Sequence, residues 1–468
     1  MKLNELRKNA IEIGNVPSNF VLTIEEIRED RGFFVWKHPE EEERYITLEM
    51  KEGQLHKYST SIRSENHSSL SEVELKTMAL QYAHSHIPSE DLDKFALENW
   101  ESLKRGNYRL TYTQFHNQLP LPFTGFYITI DKGGNITSFR YYGIANDIRL
   151  PNQALDLTFV KEKYIEGLKM ELSIKTLFRD FYKNGDNRLR LVYEPNWTIC
   201  YNPTKGIIEK QEIDKDIADR LVNISKPHII EPKTISEFIN LNKEEYTKIR
   251  EADMDTYIGE VWRHKKTSLP PKKDLSINSF FEDQNNGTLK LMLHPQTKEI
   301  KSAYSFIDQI GELNLTYDEC QNIAEQLLFT VYPNANQYFK LVTSKGEDEQ
   351  EDNLCRFRYR LVYENILVEY NVFAISVNRT TGFVDHFSSC DIELDTLDEL
   401  ETAPTISETE AKELLIKKLD IEAKWNQFYD ENKKEYYVLD YEPIFPMLEG
   451  ELVAIDAQTK EEIIKKQL

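Results

Sequence analysis

The chain has 468 residues and carries 58 lysine and arginine residues against 80 aspartate and glutamate residues, a formal net charge of −22. Its hydrophobic share of 40% is too high for a disordered chain, and the length predicts roughly two to four domains that each bury a core. Because the excess of carboxylates repels a phosphate backbone, nucleic acid is excluded as the expected partner.

We expect no secretory signal, because residues 1–22 interrupt their apolar positions with asparagine and glutamate. No run of about 18 apolar residues occurs, so we expect no membrane insertion. The cysteines are too few and too scattered for a disulfide scaffold or a paired-cysteine zinc site, although Cys355 and Cys390 are a pair worth testing for a disulfide. We therefore expect a cytoplasmic protein whose thiols are reduced at Cys200, Cys320, Cys355 and Cys390.

A strand–turn–strand pattern recurs six times along the chain, at intervals of roughly 70 to 90 residues. Apolar residues alternate along the incoming strands, as at Phe126, Ile128 and Ile130, which is typical of a sheet with one buried face. Glycine and asparagine supply the positive φ that tight turns require. The turns are predicted at 52–53, 133–134, 202–206, 295–298, 380–382 and 458–460.

Most copies of this pattern open with a helix. Apolar residues then recur at helical spacing, which predicts one stripe that faces a sheet, and Pro88 and Pro333 end two of the helices at equivalent places. Each copy is therefore predicted to be a module of one helix on a small antiparallel sheet. Capping boxes predict four helix starts, at Ser71/Glu74, Thr234/Glu237, Thr316/Glu319 and Ser407/Glu410.

Longer matches indicate a tandem duplication. Residues 126–131 recur as 373–378, an offset of about 247 residues, and 70–88 match 315–333 at nearly the same offset. We therefore predict an α+β protein of two homologous halves, 1–231 and 232–468, with about three helix-plus-sheet modules in each half. Irregular connections are predicted at 203–233, at 268–274 and, as an acidic loop, at 346–352.

The strand ends and turns at 377–382, Val-Asn-Arg-Thr-Thr-Gly, and at 455–460, Ile-Asp-Ala-Gln-Thr-Lys, resemble the PepSY-type module. The tandem arrangement of such modules is similar to that of the YcdB/YcdC repeat-domain proteins of Gram-positive spore-forming bacteria. The resemblance covers nearly the whole chain, although residues 51–53 depart from the motif. It implies a non-catalytic module, associated in related proteins with protease propeptides and with envelope or regulatory proteins. It brings no catalytic residues.

The sequence lacks the common catalytic, phosphate-binding and metal-binding motifs, so we expect no cofactor and no metal. His84 and His86 are two residues apart on a predicted helix and point to different faces, which does not favour a shared metal. His386 follows Asp385 on a predicted strand, where neighbouring side chains also point to opposite faces. A structural role is the simpler interpretation for these histidines.

One strand carries a cationic stripe. The alternation of residues 355–361, Cys-Arg-Phe-Arg-Tyr-Arg-Leu, places Arg356, Arg358 and Arg360 on one face and the apolar side chains on the other. Arginine side chains suit carboxylates and phosphates, so we predict that this stripe binds an acidic peptide or an anion. The alternative is that it contacts the acidic loop 346–352 or only water.

We favour a non-enzymatic protein-binding or regulatory module that recognises a protein or peptide through strand edges or helix faces, as a protease inhibitor does. The alternative is a hydrolase-type enzyme with a site in the cleft between the two halves. A structural or spore-associated protein is a third interpretation. The sequence leaves the identity of the partner and the oligomeric state open.

Overall fold

The computed structural model describes residues 3–29, 31–41, 43–63, 69–103, 106–150, 155–202, 206–209, 220–227, 232–254, 256–267, 274–307, 311–343 and 353–466. The protein is α+β, with short helices packed on sheets that are mostly antiparallel. The helices are α1 Leu3–Ile13, α2 Glu72–His86, α3 Ser89–Leu92, α4 Leu157–Gly167, α5 Ile235–Phe238, α6 Ile277–Asn285, α7 Tyr317–Val331, α8 Ala335–Tyr338 and α9 Glu408–Ile416.

The strands of the first part of the chain are β1 Val21–Arg28, β2 Arg31–Lys37, β3 Tyr45–Lys51, β4 Gln54–Thr60, β5 Phe95–Leu103, β6 Asn107–His116, β7 Leu119–Pro120, β8 Gly125–Asp131, β9 Ile136–Gly143, β10 Ile148–Arg149, β11 Leu168–Thr176, β12 Leu189–Trp197, β13 Ile199–Asn202 and β14 Gly206–Glu209. Those of the second part are β15 Arg220–Asn223, β16 Tyr246–Asp253, β17 Ile258–His264, β18 Thr288–Leu293, β19 Ile300–Phe306, β20 Phe339–Thr343, β21 Leu354–Tyr363, β22 Ile366–Asn378, β23 Val384–Ser388, β24 Asp420–Tyr429, β25 Glu435–Ile444, β26 Glu451–Asp456 and β27 Glu462–Lys465.

The same strand order occurs twice. One sheet runs β1-β2-β3-β4-β9-β8-β6-β5. The other runs β16-β17-β18-β19-β23-β22, and β22 is followed by β21 and then β20. Each strand of the first order therefore has a counterpart in the second, so the two repeated halves share one antiparallel topology.

The two neighbouring modules of each such sheet are joined edge to edge. β4 pairs with β9 through Tyr58 and Phe139, and β19 pairs with β23 through Ala303 and Phe387. The structure differs here from the predicted small sheet for each module. Pairing the two edges covers main-chain groups that would otherwise be open to other strands, and it makes one continuous apolar face. Sequence alternation carries no information about which edges meet.

Five of the six predicted turns and all four predicted helix starts are confirmed, whereas residues 203–205 of the predicted turn 202–206 lie outside the described residues. Antiparallel pairs β3–β4, β8–β9, β13–β14, β18–β19, β22–β23 and β26–β27 flank the six predicted turns. All four capping boxes form: the Ser or Thr side chain accepts the backbone N–H of the Glu, whose carboxylate accepts from the capping residue. α2 ends two residues before Pro88 and α7 two residues before Pro333.

The chain divides into two compact units. The first compact unit contains residues 1–154, 270–284 and 423–442, and the second contains 155–269, 285–422 and 443–468. In the first, α2 packs on β8, and the core is built around Ile128, Phe34 and Phe139. In the second, α7 packs on β21 and β22 around Phe373. The division into halves at 231/232 describes the sequence repeat and stays a prediction.

The last hairpin of the chain completes a sheet that begins much earlier. β12 pairs with β26 through Val192 and Asp456, and α9 packs on β11, β12 and β26. β11 also pairs in parallel with β22, where Ser173 lies opposite Leu367. The second compact unit thus carries its β11–β12 and β26–β27 pairs on the edge of its larger sheet.

The predicted connections lie partly outside the described residues. Within 203–233 the described residues include β14 and β15, and β15 pairs with β20, so this segment contains strands where we predicted a connector. Residues 268–273 and the acidic loop 346–352 lie outside the described residues.

Candidate functional site

The arginine stripe lies on β21 as the alternation predicts. Arg356 and Arg358 are exposed, while Phe357, Tyr359 and Leu361 are buried in the core. The burial of the three apolar side chains fixes the pleat of the strand, and the pleat turns the arginines away from the core. The predicted face of the stripe is therefore confirmed, and its binding role stays a prediction.

A pocket of about 280 Å³ is built on this face within the second compact unit. Its polar lining includes Arg356, Arg358, Arg379, Ser376 and His386. We call this the arginine pocket. Its apolar lining includes Tyr317, Leu354, Phe357 and Ile375. Three guanidinium groups, a hydroxyl and an imidazole thus surround a small space that has apolar walls.

Arg360 does not line the arginine pocket with the other two arginines of the stripe. It lies opposite Lys340 and Val372 in the sheet, near the half-buried carboxyl group of Glu369. Burial raises the pKa of Glu369, and the positive charge of Arg360 opposes that rise. The three arginines predicted as one site are therefore divided between two surroundings.

The turn after β22 positions Arg379. Oδ1 of Asn378 accepts the backbone N–H of Thr380 at 2.9 Å, and the backbone N–H of Arg379 donates to the carbonyl of Asn353 at 2.8 Å. Nε of Arg379 donates to Sγ of Cys355 at 2.9 Å, and this hydrogen bond raises the pKa of the guanidinium. The side chain is thereby fixed at the end of the pocket, with its charge retained.

His386 reaches the pocket from β23. Its ring stacks on Tyr304 with a centroid distance of 4.0 Å, and its Nε2 is buried with no hydrogen-bond partner among the described residues. Burial lowers the pKa of His386, so the imidazole is neutral near pH 7. Asp385 instead accepts a hydrogen bond from Nδ2 of Asn378 at 3.3 Å. This contact gives no support to a histidine base at His386 that is oriented by the carboxylate of Asp385.

The thiol groups near the pocket differ from the pair that the sequence suggested for testing. Cys320 and Cys355 lie beside each other, and burial raises the pKa of Cys320 to about 12. Burial also raises the pKa of Cys390 to about 12. All four cysteines are free thiols.

The two histidines of α2 lie in different surroundings. His86 is half-buried against Tyr82 and Phe139, with ring centroids 4.4 and 6.2 Å away, whereas His84 is exposed. In the part of the chain that the structure describes, no three His, Cys, Asp or Glu side chains group together in a way that could hold a metal ion. No helix in that part is long and apolar enough to cross a membrane.

Sequence analysis missed Ser376, Arg379 and His386 as partners of the stripe. All three come from β22, β23 and the turn between them, and the pairing of Arg356 with Ser376 brings them beside β21. One signal was available, because Arg379 follows Asn378 in the turn motif that defines the module. The register between β21 and β22 was needed to connect that motif with the stripe.

Comparisons with known proteins agree on one family. The family model described as "YcdB, YcdC repeated domain" matches residues 3–143 and 231–391. The uncharacterized protein YcdC of Bacillus subtilis (strain 168) is 30% identical over 94% of this chain and 96% of its own length. The uncharacterized protein YcdB of the same organism is 30% identical over 99% of this chain and 98% of its own length.

Among solved structures, the Bacillus megaterium YpeB C-terminal domain aligns with 45% of this chain and 97% of its own, at 12% identity and a TM-score of 0.26. A likeness at that TM-score carries no argument about the fold or the role of this chain.

Proposed function

This chain belongs to the YcdB/YcdC repeated-domain family, and we propose that it acts there as a non-enzymatic binding module that holds a carboxylate of a protein or peptide partner in the arginine pocket. The observation that supports this proposal is the convergence of Arg356, Arg358 and Arg379 on one small pocket. We also propose that the modules are PepSY-like, with a helix laid across antiparallel strands.

The chemistry of the pocket supports a carboxylate as the ligand group. A guanidinium group presents a planar fork of N–H donors that matches the two oxygens of a carboxylate. Ser376 adds a hydroxyl group, and the buried Nε2 of His386, which has no hydrogen-bond partner among the described residues, is available to a ligand. A volume of about 280 Å³ suits one side chain or a chain end rather than a folded surface. The apolar walls around Phe357 suit a hydrophobic neighbour of the acidic residue.

The outer strands of the sheets favour this pocket over strand addition as the recognition route. Three of the outer strands, β1, β5 and β16, each have a bulge, at Thr23, Glu98 and Ile249 respectively, and the outer strands β15 and β27 are only four residues long. A bulge interrupts the regular row of main-chain donors and acceptors that an added strand would need. The recognition we propose therefore depends on side chains.

Binding of peptides with one acidic residue tests the proposal. A pool of short peptides with one Asp or Glu beside an apolar residue is titrated against the full chain, with the matching Asn and Gln pool as the ligand control. We expect the acidic pool to bind and the R356Q/R358Q variant to bind it at least about tenfold more weakly, because two charge-assisted hydrogen-bonding groups are lost.

The matched protein control is R250Q, which removes an exposed cation from β16 of the same compact unit. Unchanged affinity of R356Q/R358Q, with its thermal unfolding equal to that of the parent chain, would contradict the proposed site. Mass spectrometry of the recovered peptides adds a second readout. Cleavage of the peptides by the parent chain would contradict a non-enzymatic module and favour the hydrolase alternative instead.

A further inference from the structure

A second cationic surface lies in the first compact unit, on residues that the arginine pocket does not use. A groove of about 960 Å³ runs over β2, β3, β4 and β9 to the loop between β24 and β25. We call it the cationic groove. Its positively charged lining residues are Arg31, Lys51, Lys57, Arg140, Lys433 and Lys434. They concentrate positive charge in a chain whose net charge is −22.

The sheet register places like charges opposite each other at this groove. Arg31 lies opposite Lys51 in the β2–β3 pair, and Lys57 lies opposite Arg140 in the β4–β9 pair. Like charges at directly opposed positions destabilise a sheet. Glu49 lies opposite Lys57 on the other side of β4 and offsets part of this repulsion, whereas the Arg31–Lys51 pair has no such carboxylate opposite it in the described register.

The four carboxylates at the groove neutralise the six cations only in part, because one of the four pairs with an arginine outside the six and the cations outnumber the other three by two to one. Asp147 pairs with Arg149 at 2.7 Å, Oδ1 of Asp430 accepts two backbone N–H groups of its own turn at 2.9 Å, and Glu435 accepts from Gln427 at 2.9 Å. The fourth, Glu49, lies opposite Lys57 in the sheet.

The six cations make no ion pair with any residue that the structure describes. Other cations of the same compact unit are paired, as Arg7 is with Glu25 and Lys94 with Asp91. Burial lowers the pKa of His56, which also lines the groove, and the charges of Lys51 and Arg31 lower it further. The charge of Glu49 opposes this shift.

Aromatic side chains at the groove add apolar contact area. Phe123 and Tyr429 are each 63% exposed, and both line the groove. Phe123 has φ of 56°, a conformation that costs free energy in a residue with a bulky side chain. Large aromatic side chains that stay in water beside charged groups are typical of surfaces that bind polypeptides.

We propose that the cationic groove is a second binding site, and that it binds an acidic segment of a partner protein. Each exposed cation contributes little by itself, so a ligand must meet several of them at once. Because the groove is open and its cations come from five elements, an extended segment reaches them and a single phosphate does not. The net charge of the chain disfavours a long nucleic acid.

The test uses a fluorescent peptide of alternating glutamate and glycine, with glutamine in place of glutamate as the ligand control. Tripolyphosphate and single-stranded DNA are titrated in parallel. All measurements are made on the full chain in the R356Q/R358Q background, so that the arginine pocket does not contribute. Loss of peptide binding in this background therefore tests the cationic groove alone, and the proposed function of the arginine pocket is tested separately by the peptide pools.

We expect the glutamate peptide to bind and added salt to weaken it, because exposed charges are screened. K57Q/R140Q should bind it about tenfold more weakly. The matched control is K8Q/K132Q, which removes two exposed lysines of the same compact unit outside the groove. Equal affinity of K57Q/R140Q and the control would overturn the site. Tighter binding of tripolyphosphate or DNA, lost in K57Q/R140Q, would overturn the acidic protein segment as ligand.

Thermal unfolding keeps the test decisive. K57Q/R140Q removes the repulsion between Lys57 and Arg140 together with the attraction of Glu49 for Lys57, so we expect it to unfold at a temperature close to that of the parent chain while it loses the peptide. A variant that loses the peptide and also unfolds at a lower temperature than the control would overturn the proposal, since the two cations would then have a structural role.

Discussion

Nε of Arg379 donates a hydrogen bond to Sγ of Cys355 across 2.9 Å, and this contact ties the turn after β22 to the start of β21. The same turn places the guanidinium group of Arg379 at the arginine pocket. A turn that defines the module in the sequence thus contributes directly to the candidate site, and it does so through a buried thiol.

Burial of the thiols predicts their order of reactivity. Burial raises the pKa of Cys320 and of Cys390 to about 12, so almost none of either thiol is thiolate at pH 8. Cys200 is partly exposed. We expect iodoacetamide at pH 8 to label Cys200 first and to leave Cys320 and Cys390 unlabelled until the chain unfolds, as measured by peptide mass spectrometry. Labelling in urea is the control, and equal rates for Cys200 and Cys390 in the folded chain would contradict this burial.

Asp385 predicts a pH dependence of stability. Burial raises the pKa of its carboxyl group, although the hydrogen bond from Asn378 opposes the rise. The folded chain therefore holds this proton more tightly than the unfolded chain, and the free energy of unfolding falls as the pH rises from about 4, the usual value for aspartate, through the raised pKa. D385N does not titrate, so we expect it to unfold at a higher temperature than the parent at pH 7.

The advantage of D385N should shrink as the pH is lowered toward 4, because the parent then carries the neutral carboxyl group. Thermal unfolding measured across this range gives the comparison, and D395N, which changes an exposed carboxylate, is the control. An advantage that stays constant with pH would show that the effect comes from the amide group and not from the removed charge.

Local rules were enough for the turns, the helix starts and the face of the stripe. Asn378 could be placed at a strand end because its side chain caps the following turn, and Phe357 could be placed in the core because it alternates with arginine. The cationic groove could not be predicted, because Lys57 and Arg140 become neighbours only through the pairing of β4 with β9. Edge pairings between distant strands depend on tertiary packing, which a repeat pattern does not specify.

The burial of Ile128 allows a prediction of how much free energy of unfolding a cavity in the first compact unit would cost. Its side chain is fully buried in β8, within the core that contains Phe139. I128A should lower the free energy of unfolding by about 2–5 kcal/mol, because the transfer free energy is lost and a cavity remains. Urea unfolding followed by circular dichroism measures the change. The control is V73A, at a side chain that is 74% exposed on α2, where we expect a change within about 0.5 kcal/mol.

Two equivalent turns are each capped by an aspartate, and we predict that the two aspartates contribute differently to the free energy of unfolding. Oδ1 of Asp131 accepts the backbone N–H groups of Gly133 and Asn135 at 2.9 Å. Oδ1 of Asp456 accepts those of Gln458 at 2.9 Å and Thr459 at 2.8 Å, while Oδ2 also lies 3.2 Å from Nη1 of Arg190. Asp456 is 1% exposed, so its charge is screened little by water. The second turn therefore combines the cap with a partly buried ion pair.

We expect D456A to lower the free energy of unfolding by about 3–5 kcal/mol, since it removes the cap and leaves the guanidinium of Arg190 with one carboxylate fewer. D131A should cost about 1–3 kcal/mol, since the N–H groups of its turn lose their acceptor. D456N should fall between the two, because its amide oxygen can still accept the turn N–H groups. Urea unfolding of the three variants gives the order, and a D456N variant as stable as the parent chain would show that the contact with Arg190 adds no stability.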